Sequence, residues 1–439
     1  MFLYNDLLKR AANNAPVKVG LIGAGKFGSM FLSQVPSTPG LEVRCIADLN
    51  PARARQTCLD VGWPEALVDT TQFFDDAVRM METKDLDVIV EATGNPVVGV
   101  VHARTAIRNG HHIVMVNVEA DVLAGALLAR EAKAAGVVYS MAYGDQPALT
   151  CEMVDWARST GFSVVAAGKG TKYLPSYHAS TPDTVWDHYG LTAEQAAAAG
   201  MNSQMFNSFL DGTKSALEMA AIANATGLAA PDDGLLFPPA GMDDLAHILR
   251  PQSEGGQLQT KGQVEVVSSL ERDGRPVFKD LRWGVYVVIE APNDYAAACF
   301  RQYGMNTDAT GRYSAMYKPF HLIGLELNIS ILAAALLKLP TGSTQHFVGD
   351  VVATAKRDLK AGEILDGEGG HTVWGKLCPA EASLAIGGLP IGLAHHVKLT
   401  TDVAANTPVR WQDVEIDESL DAVHLRRAME ANPDVRLSA

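Results

Sequence analysis

The chain has 439 residues, 47% of them hydrophobic, which is enough apolar material for the cores of two to four domains. Its formal net charge of −14 disfavours non-specific binding to nucleic acid or to anionic lipid, so we expect neither as a partner. No apolar run reaches the roughly 18 residues of a membrane span, and the opening MFLYNDLLKRAANNAP is too short and too polar for a signal peptide. The five cysteines lack CxxC spacing, which predicts reduced thiols and a cytoplasmic protein.

The stretch 17–35, VKVGLIGAGKFGSMFLSQV, combines an apolar strand, a glycine-rich turn and the start of a helix. Gly23 allows the tight turn, Gly25 lets the backbone approach a pyrophosphate, and Gly28 lets the helix pack closely on the strand. The helix start offers free N–H groups to phosphate. We expect the other residues of the turn to contact the cofactor as well: Ala24, Lys26 and Phe27.

The next apolar run, LEVRCIAD, predicts a second strand that ends at Asp48, 20 positions after Gly28. An acidic residue at this place binds the ribose of a dinucleotide, so the βαβ unit predicts an NAD(P)-binding Rossmann domain. Asp48 favours NAD. Arg53 and Arg55 follow it and would accommodate the 2′-phosphate of NADP, so the residues leave the preference between the two cofactors open.

Three further strands, LDVIVEATGNP, HHIVMVNVEAD and VVYSMAYGDQP, each end in polar residues. The carboxyl ends of parallel strands meet at one edge of the sheet, where ligands bind. We therefore expect a ligand-binding cleft there, lined by these polar residues. The residues concerned are Thr93, Gly94, Asn95, Asn117, Glu119, Tyr143, Asp145 and Gln146.

From about residue 151 the pattern changes, and 191–227 is predicted as one long helical region. Asn207, Asp211 and Lys214 lie at spacings of four and three, which places them on one helix face. That face is either solvated or part of a site, and the flanking apolar residues favour burial. A later stretch, RYSAMYKPFHLIGLEL, contains Arg312, Lys318 and His321. A lone His is usually structural, but these neighbouring cations make His321 an acid/base candidate.

Beyond residue 345 the short strands and repeated glycines predict a small β domain with a structural or oligomer-forming role. No Cys and His residues are paired at metal-ligand spacing. The fold class is therefore α/β with three domains: a Rossmann domain (1–155), an α+β substrate-binding, catalytic and dimerisation domain (156–344), and an all-β domain (345–439).

The N-terminal half is similar to the Rossmann domain of homoserine dehydrogenases, and VVATAKRDLKAGEILDGEGGHTVWGKL resembles an SAF domain. With GTKYLPSYHASTPDTVWDHYG and RYSAMYKPFHLIGLEL between them, nearly the whole chain resembles the deoxyxylulose phosphate reductoisomerase-like (DRL) proteins. The resemblance implies a dimeric, NADPH-dependent enzyme. It would convert 1-deoxyxylulose 5-phosphate, a phosphorylated sugar, into 2-methylerythritol 4-phosphate, the committed step towards isoprenoid precursors.

One position departs from the homoserine dehydrogenase pattern, in which a catalytic Lys follows the Asn of MVNVEAD. Val118 stands there in this chain and cannot move a proton, so ordinary homoserine oxidation is disfavoured. Asn117 remains and could contact the nicotinamide.

The implied chemistry needs a phosphate anchor, a proton shuttle and a group that stabilises negative charge on oxygen. We expect the anchors among Lys172, Lys214, Arg312 and Lys318. Glu119 and Asp145 would manage protons or bind a divalent cation, Mg²⁺ or Mn²⁺, and His321 is a second acid/base candidate. Asn207 and Asp211 complete the candidate catalytic set.

Two other functions stay open. The first is another NAD(P)-dependent dehydrogenase or reductase that acts on a sugar acid, a polyol or an amino acid. The second is a sensor that binds NADP without turnover, against which the polar residues at three strand ends argue.

Overall fold

The computed structural model describes residues 3–436, which form two compact units. The first unit comprises 3–149, 321–345 and 424–429, and the second comprises 150–320, 346–423 and 430–436. The α/β class is confirmed. The partition differs from the expected three domains, because 321–345 belongs with the N-terminal unit and 346–423 belongs with the middle segment.

The strands and helices follow each other through both units. The strands are β1 (Val17–Ile22), β2 (Leu41–Ala47), β3 (Gln72–Phe74), β4 (Val88–Glu91), β5 (His112–Met115), β6 (Tyr139–Met141), β7 (Ser163–Thr171), β8 (Gln263–Ser268), β9 (Val285–Glu290), β10 (Tyr313–Lys318), β11 (Gly349–Ala355), β12 (Ile364–Asp366), β13 (Val373–Pro379), β14 (His395–Leu399) and β15 (Val414–Glu415). The helices are α1 (Leu3–Ala12), α2 (Lys26–Gln34), α3 (Pro51–Asp60), α4 (Glu65–Thr70), α5 (Ala77–Met81), α6 (Pro96–Arg108), α7 (Val118–Ala134), α8 (Gln146–Ser159), α9 (Val185–Tyr189), α10 (Ala193–Ala198), α11 (Ser203–Leu210), α12 (Thr213–Thr226), α13 (Leu245–Ile248), α14 (Asp294–Gln302), α15 (Asn328–Leu332), α16 (Ala380–Ile386) and α17 (Asp421–Ala431).

The first unit is built on a six-stranded parallel sheet of order β3-β2-β1-β4-β5-β6. Its central strands are mostly apolar, as is typical of a parallel sheet buried on both faces, and Val19, Leu21 and Val90 have no exposed surface. The strand order reverses between β1 and β4, so a crevice for a ligand lies at the carboxyl ends of these two strands.

A segment distant in sequence completes the first unit. The backbone N–H of Met141 on β6 donates to the carbonyl of Gly342 at 2.8 Å, and that of Tyr143 donates to the hydroxyl of Ser330 at 2.7 Å. The buried Leu327 and Ile331 join the core of the same unit. These contacts explain why residues 321–345 belong to the first unit and not to the unit of the middle segment.

The second unit contains a mixed sheet of order β10-β9-β7-β8, in which only the β7–β8 pair is parallel. Helix α12 packs against β8 on one side and against the antiparallel pair β11–β13 on the other, and most of its residues are buried. A three-stranded sheet, β12-β14-β15, completes the β-rich segment, which also contains α16. The sequence analysis predicted neither α16 nor α17, and residues 424–429 of α17 belong to the first unit. Within residues 3–436, no helix combines the length and the apolar character needed to cross a bilayer.

Candidate functional site

The glycine-rich turn has the geometry of a pyrophosphate cradle. Gly23 has a φ of +95°, and a Cβ there would lie 2.7 Å from the carbonyl oxygen of Ala92. A Cβ at Gly28 would lie 2.4 Å from the carbonyl oxygen of Gly23, so α2 packs directly on the turn. At Gly25 a Cβ would meet nothing within 4 Å, so this position faces open space. Gly25 is the N-cap residue of α2, and no side chain caps this helix end. The N–H groups of the first turn of α2 are therefore left for a phosphate.

Asp48 joins the turn to the ribose end of the site. Its Oδ2 accepts the backbone N–H of Ala24 at 3.0 Å, and its Oδ1 accepts one N–H of the Arg53 guanidinium at 3.1 Å. The Arg53 side chain is 63% exposed, so it presents a cation beside the Asp48 carboxylate. Arg55 instead pairs with Asp69. Arg53 is therefore better placed than Arg55 to meet a 2′-phosphate, and this contact stays a prediction.

The two turns after β4 and β5 are joined by the Asn117 amide. Its Oδ1 caps α7 by accepting the N–H of Ala120 at 3.0 Å, and its Nδ2 donates to the carbonyl of Asn95 at 2.9 Å. Thr93 donates its hydroxyl hydrogen to the buried Glu91 carboxylate at 2.5 Å. Both polar atoms of Asn117 thus hold the turns in place, and its contact with the nicotinamide stays a prediction.

Glu119 and Asp145 are both buried at strand ends of the first unit, with 7% and 3% of their surface exposed. Glu119 lies in the first turn of α7, and Asp145 accepts the N–H of Gln146 at 2.9 Å. His321 lies in the returning segment of the same unit. Among the described residues, no three His, Cys, Asp or Glu side chains are grouped as a metal would require.

In the second unit, two cations lie beside one aromatic ring. The ammonium of Lys172 is 5.5 Å from the centre of the Tyr189 ring, and the guanidinium of Arg282 is 6.0 Å from it. Lys172 also donates to the carbonyl of His188, and burial, followed by the charge of Arg282, lowers the pKa of its ammonium. In residues 3–436, neither Lys172 nor Arg282 pairs with a carboxylate. We call these two residues the Lys172–Arg282 site.

The sheet register separates the cations that the sequence analysis grouped as phosphate anchors. In the sheet register Lys318 on β10 pairs with Val285 on β9, and Val285 pairs with Lys169 on β7. Lys172 follows directly after the end of β7, so Lys318 and Lys172 lie towards the same end of the sheet. Arg312 precedes β10 at the opposite end of the strand, where its guanidinium pairs with Asp294. Six residues of strand span roughly 20 Å. A single phosphate therefore cannot bind Arg312 together with Lys172 or Lys318, so the anchor of one phosphate can include only part of the set of four, and which of them bind phosphate stays a prediction.

The prediction that Asn207, Asp211 and Lys214 share a helix face is wrong. Helix α11 ends at Leu210, and α12 begins at Thr213 after Gly212 with a φ of +94°. Asn207 is fully buried, accepts the Ser180 hydroxyl at 2.7 Å and donates to the carbonyls of Ser180 and Gly369. These bonds join the middle segment to the β-rich segment.

Asp211 is likewise fully buried and pairs with Lys356 at 2.8 Å. Lys214 lies in the first turn of α12 and is half-buried. Catalytic roles for Asn207, Asp211 and Lys214 stay predictions, but the hydrogen bonds of the first two are those of structural residues.

Sequence reasoning missed Arg282 and Lys356. Arg282 follows Leu281 in the stretch DLRWG, which matches no motif, and only the fold brings it to Tyr189. Lys356 is in the quoted segment VVATAKRDLK, directly after the apolar run that forms β11. This position beside an apolar run was the available signal for its burial.

Comparisons with known proteins agree with the Rossmann fold of the first unit. Residues 17–142 match the family model described as the oxidoreductase family, NAD-binding Rossmann fold, and residues 144–327 match the one described as oxidoreductase DRL, catalytic domain. No curated protein matches the chain. Both models describe oxidoreductases, so these matches support an NAD(P)-dependent oxidoreductase as the class of the protein. In particular, its middle segment is similar to the DRL catalytic domain.

Solved structures show weaker similarity. Homoserine dehydrogenase of S. aureus is 17% identical over 34% of this chain and 40% of its own, with a TM-score of 0.23. An inositol dehydrogenase homolog of Azotobacter vinelandii, complexed with NAD+, is 15% identical over 40% and 46%, with a TM-score of 0.28. KijD10, a 3-ketoreductase of Actinomadura kijaniata in complex with NADP, is 17% identical over 36% and 49%, with a TM-score of 0.26. The chain covers less than half of each of these proteins.

Proposed function

We propose that the chain is an NADPH-dependent reductoisomerase that converts 1-deoxy-D-xylulose 5-phosphate into 2-C-methyl-D-erythritol 4-phosphate in isoprenoid biosynthesis. The Lys172–Arg282 site carries the proposal, because it lies within the residues that match the DRL catalytic domain. Two neighbouring cations without a carboxylate repel each other, and an anionic group on the substrate relieves that repulsion. A phosphate ester is such a group, and Arg and Lys are its usual ligands.

Each step of the reaction assigns a task to the protein. The skeleton of the ketose phosphate rearranges to an aldehyde, and NADPH, when bound, supplies the hydride that reduces this aldehyde to an alcohol. Lys172 and Arg282 hold the phosphate, and therefore fix the position of the carbon chain. Proton transfer by Glu119, Asp145 or His321 stays a prediction, as does phosphate binding by Lys214 and Lys318.

The residues of the first unit fit NADPH. The open space at Gly25 takes the pyrophosphate, and Arg53 offers a guanidinium for the 2′-phosphate beside Asp48. The fit of a divalent metal is poorer, because the described residues provide no group of three ligands, although Mg²⁺ often takes one or two carboxylates plus substrate oxygens. No step above depends on a metal ion. A homodimer, a cytoplasmic location and an SAF-like C-terminal segment complete the proposal.

An assay of the purified protein tests this function. The protein is incubated with NADPH and deoxyxylulose phosphate, with and without Mn²⁺. NADPH oxidation that yields methylerythritol phosphate is the expected result. Oxidation only with other carbonyl compounds would indicate a different reductase. Saturable NADPH binding without any oxidation would indicate a sensor.

Replacing either cation of the Lys172–Arg282 site tests the phosphate anchor. Lys172→Ala and Arg282→Ala should each lower kcat/KM for deoxyxylulose phosphate, by a factor that corresponds to about 1 to 3 kcal/mol of lost transition-state stabilisation, because a charge-assisted bond to phosphate is lost. Arg275→Ala is the matched control, since this exposed Arg pairs with Asp273. Unchanged kinetics in both site variants would remove these residues from the active site.

A further inference from the structure

A cavity of about 270 Å³ lies in the second unit between the middle segment and the β-rich segment. We call it the Trp374 cavity. None of the residues assigned above to the cofactor or to the phosphate lines it. Its walls include His178, Phe237, Trp374, Lys376, Asp233 and Asn406.

The aromatic wall of the cavity is held in place by stacking and by hydrogen bonds. The His178 ring stacks on Trp374 with centroids 3.9 Å apart, and Phe237 stacks on Tyr173 at the same distance. Nδ1 of His178 is 2.7 Å from the carbonyl oxygen of Asp211, which can only accept, so Nδ1 carries the proton. Nε2 then accepts the Tyr173 hydroxyl hydrogen at 2.9 Å. Both ring nitrogens are used within the protein, and the imidazole serves as a flat wall.

Two opposite charges line the same cavity without partners. Within residues 3–436, neither the half-buried Lys376 nor the exposed Asp233 forms an ion pair or a side-chain hydrogen bond. The Lys376 stem packs over Gly234, where a Cβ would lie 3.0 Å from its Cε, and both residues line the cavity. Leu235 and Leu377 add apolar surface. The cavity thus offers one cation, one anion and an apolar, aromatic interior.

We propose that the Trp374 cavity binds a small zwitterion with an apolar or aromatic side chain, the chemical class of a free amino acid. The ligand's carboxylate pairs with Lys376, its ammonium pairs with Asp233, and its side chain packs against Trp374 and Phe237. The volume is slightly below that of pockets for drug-sized ligands, which suits one small molecule. This site goes beyond the proposed function and does not depend on it.

Calorimetric titration of the full chain with L-phenylalanine tests the proposal. L-Phenylalanine should bind, while phenethylamine, which lacks the carboxylate, and 3-phenylpropionate, which lacks the ammonium, should each bind about tenfold more weakly or worse. The proposal fails if L-phenylalanine, L-leucine and L-tryptophan give no binding at millimolar concentration. It also fails if 3-phenylpropionate binds as tightly as L-phenylalanine.

Variants locate the binding in this cavity. Lys376→Met and Asp233→Asn should each weaken L-phenylalanine binding about tenfold, whereas Lys398→Met, an exposed lysine on β14, should not change it. Thermal denaturation checks that each variant is folded, and Asp233→Asn is the safer change because Asp233 is exposed. Unchanged affinity in both cavity variants would overturn the assignment.

Discussion

At the scale of single residues, the glycines of the pyrophosphate turn have separable roles. Gly23→Ala should lower the melting temperature, because the new Cβ would meet the Ala92 carbonyl at 2.7 Å in a left-handed backbone conformation. Gly25→Ala should fold normally and lose NADPH affinity, because its Cβ points into the open space of the phosphate site. Melting curves and fluorescence titrations with NADPH measure the two effects. An equal loss of stability in both variants would contradict this division.

Cofactor preference depends on Arg53 in this account. Arg53→Ala should raise KM for NADPH roughly tenfold and leave KM for NADH nearly unchanged, because only NADPH carries the 2′-phosphate. Arg55→Ala is the control, since Arg55 already pairs with Asp69. A similar rise for both cofactors would remove Arg53 from the 2′-phosphate site.

The carboxyl of Glu265 makes stability depend on pH. Burial raises its pKa to about 7, although the backbone N–H groups of Val266, Leu236 and Phe237 donate to it and favour the charged form. The folded protein holds this proton more tightly than the unfolded chain, in which the pKa of Glu265 is 4.5, so the proton stabilises the fold fully at a pH below 4.5. This stabilisation is lost as the pH rises to about 7. The loss amounts to roughly 3 kcal/mol.

The variant Glu265→Gln isolates this effect. Urea unfolding of both proteins between pH 5 and 8 should show the wild type losing stability relative to the variant as the pH rises, with the exposed Glu194→Gln as the control. A difference between wild type and Glu265→Gln that does not change with pH would contradict the assignment.

At the scale of elements, Lys356 at the end of β11 fixes the β-rich segment to the middle segment. Its ammonium donates to the Asp211 carboxylate at 2.8 Å and to the carbonyls of Ser180 and Gly370. Lys356→Met would leave Asp211 buried and unpaired, which should cost about 3 to 5 kcal/mol of unfolding free energy. Lys360→Met, which removes an exposed pair with Asp402, should have no measurable effect. Equal denaturation curves for the two variants would show that Lys356 is not needed for docking.

Elements with strong local patterns could be predicted from the sequence. The strand, glycine turn and helix at 17–35 form as expected, because apolar periodicity and glycine spacing determine them locally. The region 191–227 forms three helices and not one, because the chain leaves the helical conformation at Gly200, with a φ of +65°, and at Gly212, with a φ of +94°. The apolar pattern continues across Gly212, so it did not reveal this break.

At the scale of the whole molecule, the sequence order of the segments does not give their grouping in space. Residues 321–345 return to the first unit through hydrogen bonds such as that between Tyr143 and Ser330. Arg282 comes to Lys172 and Tyr189 by the same kind of long-range folding. Such contacts depend on tertiary packing, so local periodicity could predict the cofactor turn but not the Lys172–Arg282 site.

The central claim is that the protein transfers hydride from NADPH to an aldehyde formed from a phosphorylated sugar. Incubation with deoxyxylulose phosphate and NADPH deuterated at the transferable position of C4, followed by mass spectrometry of the product, tests it most directly. We expect methylerythritol phosphate that is one mass unit heavier than the product formed with ordinary NADPH. Unchanged deoxyxylulose phosphate, with all deuterium still on the cofactor, would contradict the account.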